Sequence, residues 1–315
     1  MSTSLHMSPK KTPGEHPDQQ LLIEGLPERS AIPEIQFRPH PHPLWTENKA
    51  KLIERYLFYF EMITHHGTYI DGFAGPQEPE KPEMWAAKLV LENEPRWFRH
   101  FHFFDKDPKQ AQYLEDLKVE QPLVDKHGRN LNREITVECG DFNALINDFL
   151  AKGSIGPKEA TFCLLDQRTF ECKWETVKAL AEYKPAGQNK IELFYFLPNS
   201  WQDRALAGLK KNRHLAPEWW GQDLSAEELN KLGPKQRRDI MCDRFKSELG
   251  YRFATPWPIY EKEGGTGAIM YYMIHASDHS EAPKLMERAY DKAILPKESV
   301  EQLEFLFPEP ENTAE

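Results

Sequence analysis

The sequence predicts an open α/β fold: a mostly parallel sheet covered by helices, closed by an antiparallel hairpin and carrying one helical insertion. Three observations predict it. Four apolar runs reach carboxylates at Asp71, Asp105, Asp141 and Asp166, and each is followed by residues at helical spacing. The first run turns through glycines, in Tyr69-Ile70-Asp71-Gly72-Phe73-Ala74-Gly75-Pro76. The last two runs, Tyr251 to Tyr260 and Ala268 to Ala276, flank the turn Gly264-Gly265-Thr266-Gly267, which is the pattern of a hairpin.

The elements follow in order. Residues 1–43 are polar and proline-rich, ending in Arg38-Pro39-His40-Pro41-His42-Pro43, and are expected to form an extended, flexible arm. The folded domain is expected over 44–308, with a disordered acidic tail at 309–315. From Leu44 the residues Leu52, Ile53, Tyr56, Leu57, Phe60 and Ile63 recur at helical spacing, with Thr46 as a possible cap. Thr68 to Ile70 form the first strand, and a helix around Met84 to Leu91 leads to the second, Phe101 to Phe104. Asp107-Pro108 then reads as the cap and first turn of the next helix. Ile135 to Cys139, Thr161 to Leu165 and Ile191 to Leu197 are the third, fourth and fifth strands. The stretch at about 201–250 is helical and strongly charged, and it interrupts the alternation.

Composition narrows the functional classes. The chain has 315 residues and a formal net charge of −10, which argues against backbone-driven nucleic-acid binding by the whole surface and leaves only a local basic patch open. Its four cysteines form no CxxC pair, and Cys139 and Cys163 sit in apolar runs, so buried thiols are expected. No apolar stretch is long enough to span a membrane, and the start lacks the apolar core of a signal peptide, so a cytoplasmic protein with no membrane partner is expected.

Four acids in register at successive strand ends point to one ligand-binding rim. At the first, Gly72 and Gly75 allow close backbone approach or positive φ, although a tight turn without a ligand has the same pattern. At the second, Asp105 is placed to hydrogen-bond ribose hydroxyls, as acids at this position do in doubly wound nucleotide-binding folds. In the insertion, Lys210, Lys211, Arg213, Trp219, Trp220, Arg237 and Arg238 read either as a lid that binds nucleic acid or another anionic partner, or as a solvated helical face.

With these residues in view, the chain resembles the three-Cys-motif partner protein family, TcmP. The resemblance runs from about Lys49 to Ile294. It rests on YIDGFAGP at 69–76, FFDKD at 103–107, CGDFN at 139–143, CLLDQRTFECKW at 163–174 and IELFYFLPNSWQDRAL at 191–206. It implies a Rossmann-like class I methyltransferase fold, which the closing hairpin also favours over a nicotinamide dehydrogenase. The implied cofactor is S-adenosylmethionine, and the implied partner is a three-cysteine, radical S-adenosylmethionine-like protein. Carried over by position, Asp71, Gly72 and Gly75, with Phe73 and Ala74 between them, match the loop around the methionine moiety. Asp105 matches the ribose acid, Asp141 with Phe142 the adenine contact, and Asp166 the catalytic-edge acid. Gln77 stands where a glycine often follows this turn. Asp166-Gln167-Arg168-Thr169 departs from the Asp-Pro-Pro-Tyr of DNA amino-methyltransferases, so methylation of adenine or cytosine amines loses support.

Methyl transfer from a sulfonium requires alignment more than acid-base help. Asp166 and Glu171 are therefore expected to orient the acceptor and Gln167 and Arg168 to position it, with Arg168 equally suited to pair with a rim acid. No metal is expected. Two other functions remain: a non-catalytic methyltransferase-like module that docks on the three-cysteine partner and presents its substrate, and a metal-dependent nuclease built on Asp71, Asp105 and Asp166.

Overall fold

The computed structural model describes residues 44–199, 201–209 and 212–294. The expected arm at 1–43, the tail at 309–315, and Lys210 and Lys211 lie outside the described residues.

Helix α1 (Leu44–Thr64) leads into strand β1 (Thr68–Asp71). After a 3₁₀ turn at Pro82–Met84 come α2 (Ala86–Glu92), β2 (His100–Asp105), α3 (Pro108–Glu120), β3 (Glu134–Cys139), α4 (Phe142–Ala151), β4 (Thr161–Leu165), α5 (Trp174–Glu182) and β5 (Glu192–Pro198). The insertion supplies α6 (Gln202–Gly208), α7 (Leu215–Trp220), α8 (Ala226–Lys231) and α9 (Pro234–Ser247). The hairpin β6 (Phe253–Lys262) and β7 (Thr266–Ser277) and helix α10 (Ala282–Ile294) complete the described chain.

The sheet runs β3-β2-β1-β4-β5-β7-β6. β1 to β5 are parallel, and β7 pairs antiparallel with both β5 and β6. This is the Rossmann-like class I methyltransferase fold, with the strand order reversing between β1 and β4.

The strands deliver alternate residues to opposite faces. Ile70, Phe104, Cys163, Leu165, Leu193 and Tyr195 join one core with α4, α5, α7 and α9. Their neighbours Tyr69, Phe103, Phe162, Leu164, Phe194 and Phe196 join the other, with α1, α2, α3 and α10. Because both faces of β1, β4 and β5 are covered, those strands read as continuous apolar runs.

Two expectations are corrected here. Cys139 is exposed, because β3 is the edge strand; Cys163, Cys172 and Cys242 are buried and free. Thr46 does not cap α1, since the helix begins two residues earlier and the threonine lies within it, buried. Among the described residues, no helix is long and apolar enough to cross a membrane.

Candidate functional site

The carboxyl ends of β1, β2 and β4, with the turn after β3, open on a cleft of about 730 Å³ at the point where the strand order reverses. That is where open α/β sheets bind ligands, and the volume lies within the roughly 300–1,000 Å³ of small-molecule sites. Gly72, Phe73, Gly75, Gln77, Asp105, Asp141, Phe142, Asp166, Arg168 and Glu171 all line it. The topology thus brings together residues spread over a hundred positions of sequence.

The glycine turn is held by its own chain. The Gly75 amide donates to Asp105 Oδ2 at 2.9 Å, and Trp85 Nε1 donates to the Ala74 carbonyl at 2.7 Å. Neither Gly72 nor Gly75 has positive φ; close packing explains both. A Cβ on Gly72 would stand 2.8 Å from the Phe142 ring, and one on Gly75 would stand 2.5 Å from both Asp105 Oδ2 and Gln110 Cβ. Ala74 is buried and does not line the cleft.

The four acids occupy different environments. Asp71 is buried, accepting from the Phe73 amide at 3.1 Å and from the Tyr69 hydroxyl at 3.2 Å. Burial, with the charges of Asp166 and Asp105 nearby, pushes its carboxyl up to about 8 against the opposing effect of those hydrogen bonds. Asp105 accepts from the amides of Gly75 and Asp107, and Asp107 caps α3 through Lys109. Asp141 caps α4, accepting from the Asn143 amide.

Asp166 is ion-paired. Lys49, buried on α1, places Nζ 2.7 Å from both of its carboxylate oxygens, and the ammonium stands over the Tyr271 and Phe196 rings at 4.4 and 5.0 Å. Sequence reasoning missed Lys49.

It also missed Asn143. Its amide group donates to Asp141 Oδ1 and the Glu171 carbonyl, and its oxygen accepts from the Lys173 amide and the Thr176 hydroxyl. One side chain thereby ties the start of α4 to the loop after β4. Its place in the CGDFN block was the available signal.

The loop after β4 corrects part of the catalytic set. Gln167 is fully buried and turned away from the cleft, its Oε1 accepting from the Cys172 amide at 3.0 Å, so it shapes the loop and cannot position a substrate. Glu171 staples the loop, accepting from Lys106 at 2.8 Å and from the Arg168 amide at 2.9 Å. Arg168 is exposed on the wall, and no carboxylate among the described residues pairs with its guanidinium.

Among the described residues of the basic and aromatic set, Trp219, Trp220 and Arg237 lie inside the fold. Trp219 and Trp220 are buried in the core against Phe170 and each other, so they offer no stacking surface. Arg237 is buried too; it donates to Gln202, to the carbonyls of Leu229 and Leu232, and to Asp203. Arg238 pairs with Asp239 and lies over the Tyr272 ring. Arg213 is exposed. The insertion reaches the cleft by other residues, since Ala205, Gly208, Leu209 and Leu215 form part of its wall.

Among the described residues, no three of His, Cys, Asp and Glu converge as a metal site, and Asp71 and Asp166 are already engaged by Tyr69 and Lys49. The groups present are of the kind a sulfonium nucleoside would meet: an acid for a diol at β2, further acids along the cleft, and a buried Thr46 hydroxyl, without a partner among the described residues, in an adjoining cavity.

No protein-family model and no curated protein matches the chain. Solved structures do. It is similar to the CurJ carbon methyltransferase at 10% identity, over 73% of this chain and 54% of that one, with a TM-score of 0.44, so it spans about half the length of that structure. It is also similar to the methyltransferase domain of bacterial CtHen1, at 13% identity over 73% and 99% of the two chains with a TM-score of 0.39. A third, Trm1 from Pyrococcus horikoshii in complex with S-adenosyl-L-methionine, matches at 10% identity over 78% and 58%, with a TM-score of 0.37.

Proposed function

We propose that this chain is an S-adenosylmethionine-dependent methyltransferase of the three-Cys-motif partner kind, acting with a three-cysteine, radical S-adenosylmethionine-like protein. The observation that carries the cofactor assignment is the convergence of the Gly72–Gly75 turn, Asp105, Asp141, Phe142 and Asp166 on one cleft at the reversal of strand order. On this reading Asp105 holds the ribose hydroxyls, Asp141 and Phe142 flank the adenine, and the glycine turn lies along the methionine end. When bound, the cofactor supplies an electrophilic methyl group. Asp166 orients the acceptor's nucleophile, and Phe170, Leu209 and Leu215 restrict water in the cleft.

Among the described residues, the cations lining the cleft are Lys106, Arg168 and Lys173; Lys106 pairs with Glu171 and Lys173 with Glu218, which leaves Arg168 unpaired. We assign Arg168 to a single anionic group on the acceptor.

A second reading, a non-catalytic module that presents its partner's substrate, is favoured by one observation: Lys49 occupies both oxygens of the acid meant to face the acceptor. Transfer of a tritiated methyl group, assayed with protein, nucleic-acid and small anionic acceptors and with the partner present, separates the two. Incorporation that falls sharply in Arg168→Glu supports the enzyme. Cofactor binding without any incorporation supports the module.

A further inference from the structure

Beside the cleft, between α1 and the turn after β1, lies a second, smaller cavity of about 30 Å³ lined by Thr46, Lys49, Asp71 and Asp166. Phe73, Gly75, Gln77 and Asp166 line both spaces, so the two adjoin. Two of its polar groups are cationic or donating and deeply buried. Lys49 is 1% exposed, and Thr46 is 5% exposed with no hydrogen-bond partner for its Oγ1 among the described residues. That hydroxyl borders a space that accommodates one small polar group. On the same wall stands the Asp71 carboxyl. Buried donors in one cavity are complementary to a carboxylate, which meets Lys49 and Thr46.

We propose that Lys49 and Thr46 seat an α-carboxylate, that of the amino-acid end of the cofactor assigned above, and that Lys49 passes from Asp166 to this carboxylate as the ligand enters. The proposal rests on that cofactor assignment. Exchange of one carboxylate for another keeps a buried ammonium paired throughout, so the move avoids the unpaired charge that makes breaking a buried ion pair costly. Asp166 lines the open cleft and loses its partner where solvent or an acceptor can replace it. The exchange therefore makes the acid available to the acceptor only after the cofactor is in place.

The test compares two ligands by titration calorimetry: S-adenosylhomocysteine, which carries the amino-acid end, and 5′-methylthioadenosine, which lacks it. In Lys49→Met, affinity for the first is expected to fall by about tenfold or more, the loss of a charge-assisted hydrogen bond, with the second changed by less than about twofold. Thr46→Val is expected to shift the ratio of the two affinities in the same direction by less. Asp166→Asn, which frees Lys49, is expected to raise preference for S-adenosylhomocysteine by roughly threefold. A thermal melt of each variant establishes folding, and should Lys49→Met fail to fold, Thr46→Val and Asp166→Asn carry the test. An unchanged ratio in every folded variant of Lys49 and Thr46 overturns the carboxylate seat. An unchanged or lowered ratio in Asp166→Asn overturns the exchange. Failure of the unaltered protein to bind either nucleoside overturns the cofactor assignment and this inference with it.

Discussion

Lys49 and Asp166, 117 residues apart in sequence, form a bidentate ion pair in which Nζ stands 2.7 Å from both carboxylate oxygens. The lysine comes from the helix that precedes the sheet and the aspartate from the end of β4, so the pair fixes α1 against the rim of the cleft. The ammonium is roofed by Tyr271 and Phe196, from β7 and β5. The closing antiparallel strand thus takes part in the site as well as completing the sheet.

Asp105→Ala is expected to weaken S-adenosylhomocysteine binding by about 1.5–3 kcal/mol, the worth of a hydrogen bond to a charged group. Because the same carboxylate holds the amides of Gly75 and Asp107, the variant is also expected to melt lower. Calorimetry and a thermal melt read the two effects; unchanged affinity contradicts the ribose assignment.

Gly75→Ala tests the turn. Its Cβ would stand 2.5 Å from Asp105 Oδ2 and Gln110 Cβ, so the turn and the carboxylate must both shift. A loss of about 1–3 kcal/mol is expected from overpacking, measured by urea denaturation. The wild-type φ at this position is not positive, so the penalty is steric.

Asp71 makes stability depend on pH. Its pKa is raised from the model-compound 3.8 to about 8, chiefly by burial, so between those values the folded state retains a proton that the unfolded state has lost. Stability from this group is fully present below pH 3.8 and is lost as pH rises through about 8, at up to about 1.4 kcal/mol per unit. Glu61, buried and raised to about 7, contributes in the same direction, so the Asp71 effect is taken as the difference between parent and Asp71→Asn. The variant's denaturation midpoint is expected to fall less between pH 5 and 8; parallel pH profiles contradict the assignment.

Arg237→Leu is expected to destabilise the fold by about 3 kcal/mol or more, because it removes a buried charge and leaves the Leu229 and Leu232 carbonyls without that donor. Urea denaturation checks the loss. A surface role in binding phosphate predicts near-normal stability instead.

The first four strands and their acids were legible because their apolar runs lead to Asp71, Asp105, Asp141 and Asp166, and the hairpin because its turn is rich in glycine. Side-chain direction on helices was not. Lys49 and Lys51 are two residues apart on α1; one is buried against Asp166 while the other pairs with Glu47 at the surface, and local composition does not distinguish them. Arg237 and Arg238 divide in the same way, one inside and one at the surface. Trp219 and Trp220 were misread because charged neighbours made their helix look solvated, whereas the pair anchors the insertion to the core. Cys139 ends a run in which Ile135 and Val137 alternate with Thr136 and Glu138, the pattern of a half-exposed strand, and the strand order shows β3 at the edge of the sheet.

Binding of an S-adenosyl ligand in the cleft is read from the unfolding free energy in urea at increasing S-adenosylhomocysteine, with homocysteine as the control that lacks the nucleoside. A ligand specific for the folded state adds about 2.7 kcal/mol at a hundred times its dissociation constant, and about 1.4 kcal/mol for each further tenfold rise. That increase is expected with S-adenosylhomocysteine, and none with homocysteine. An unfolding free energy that stays flat up to millimolar S-adenosylhomocysteine would contradict it.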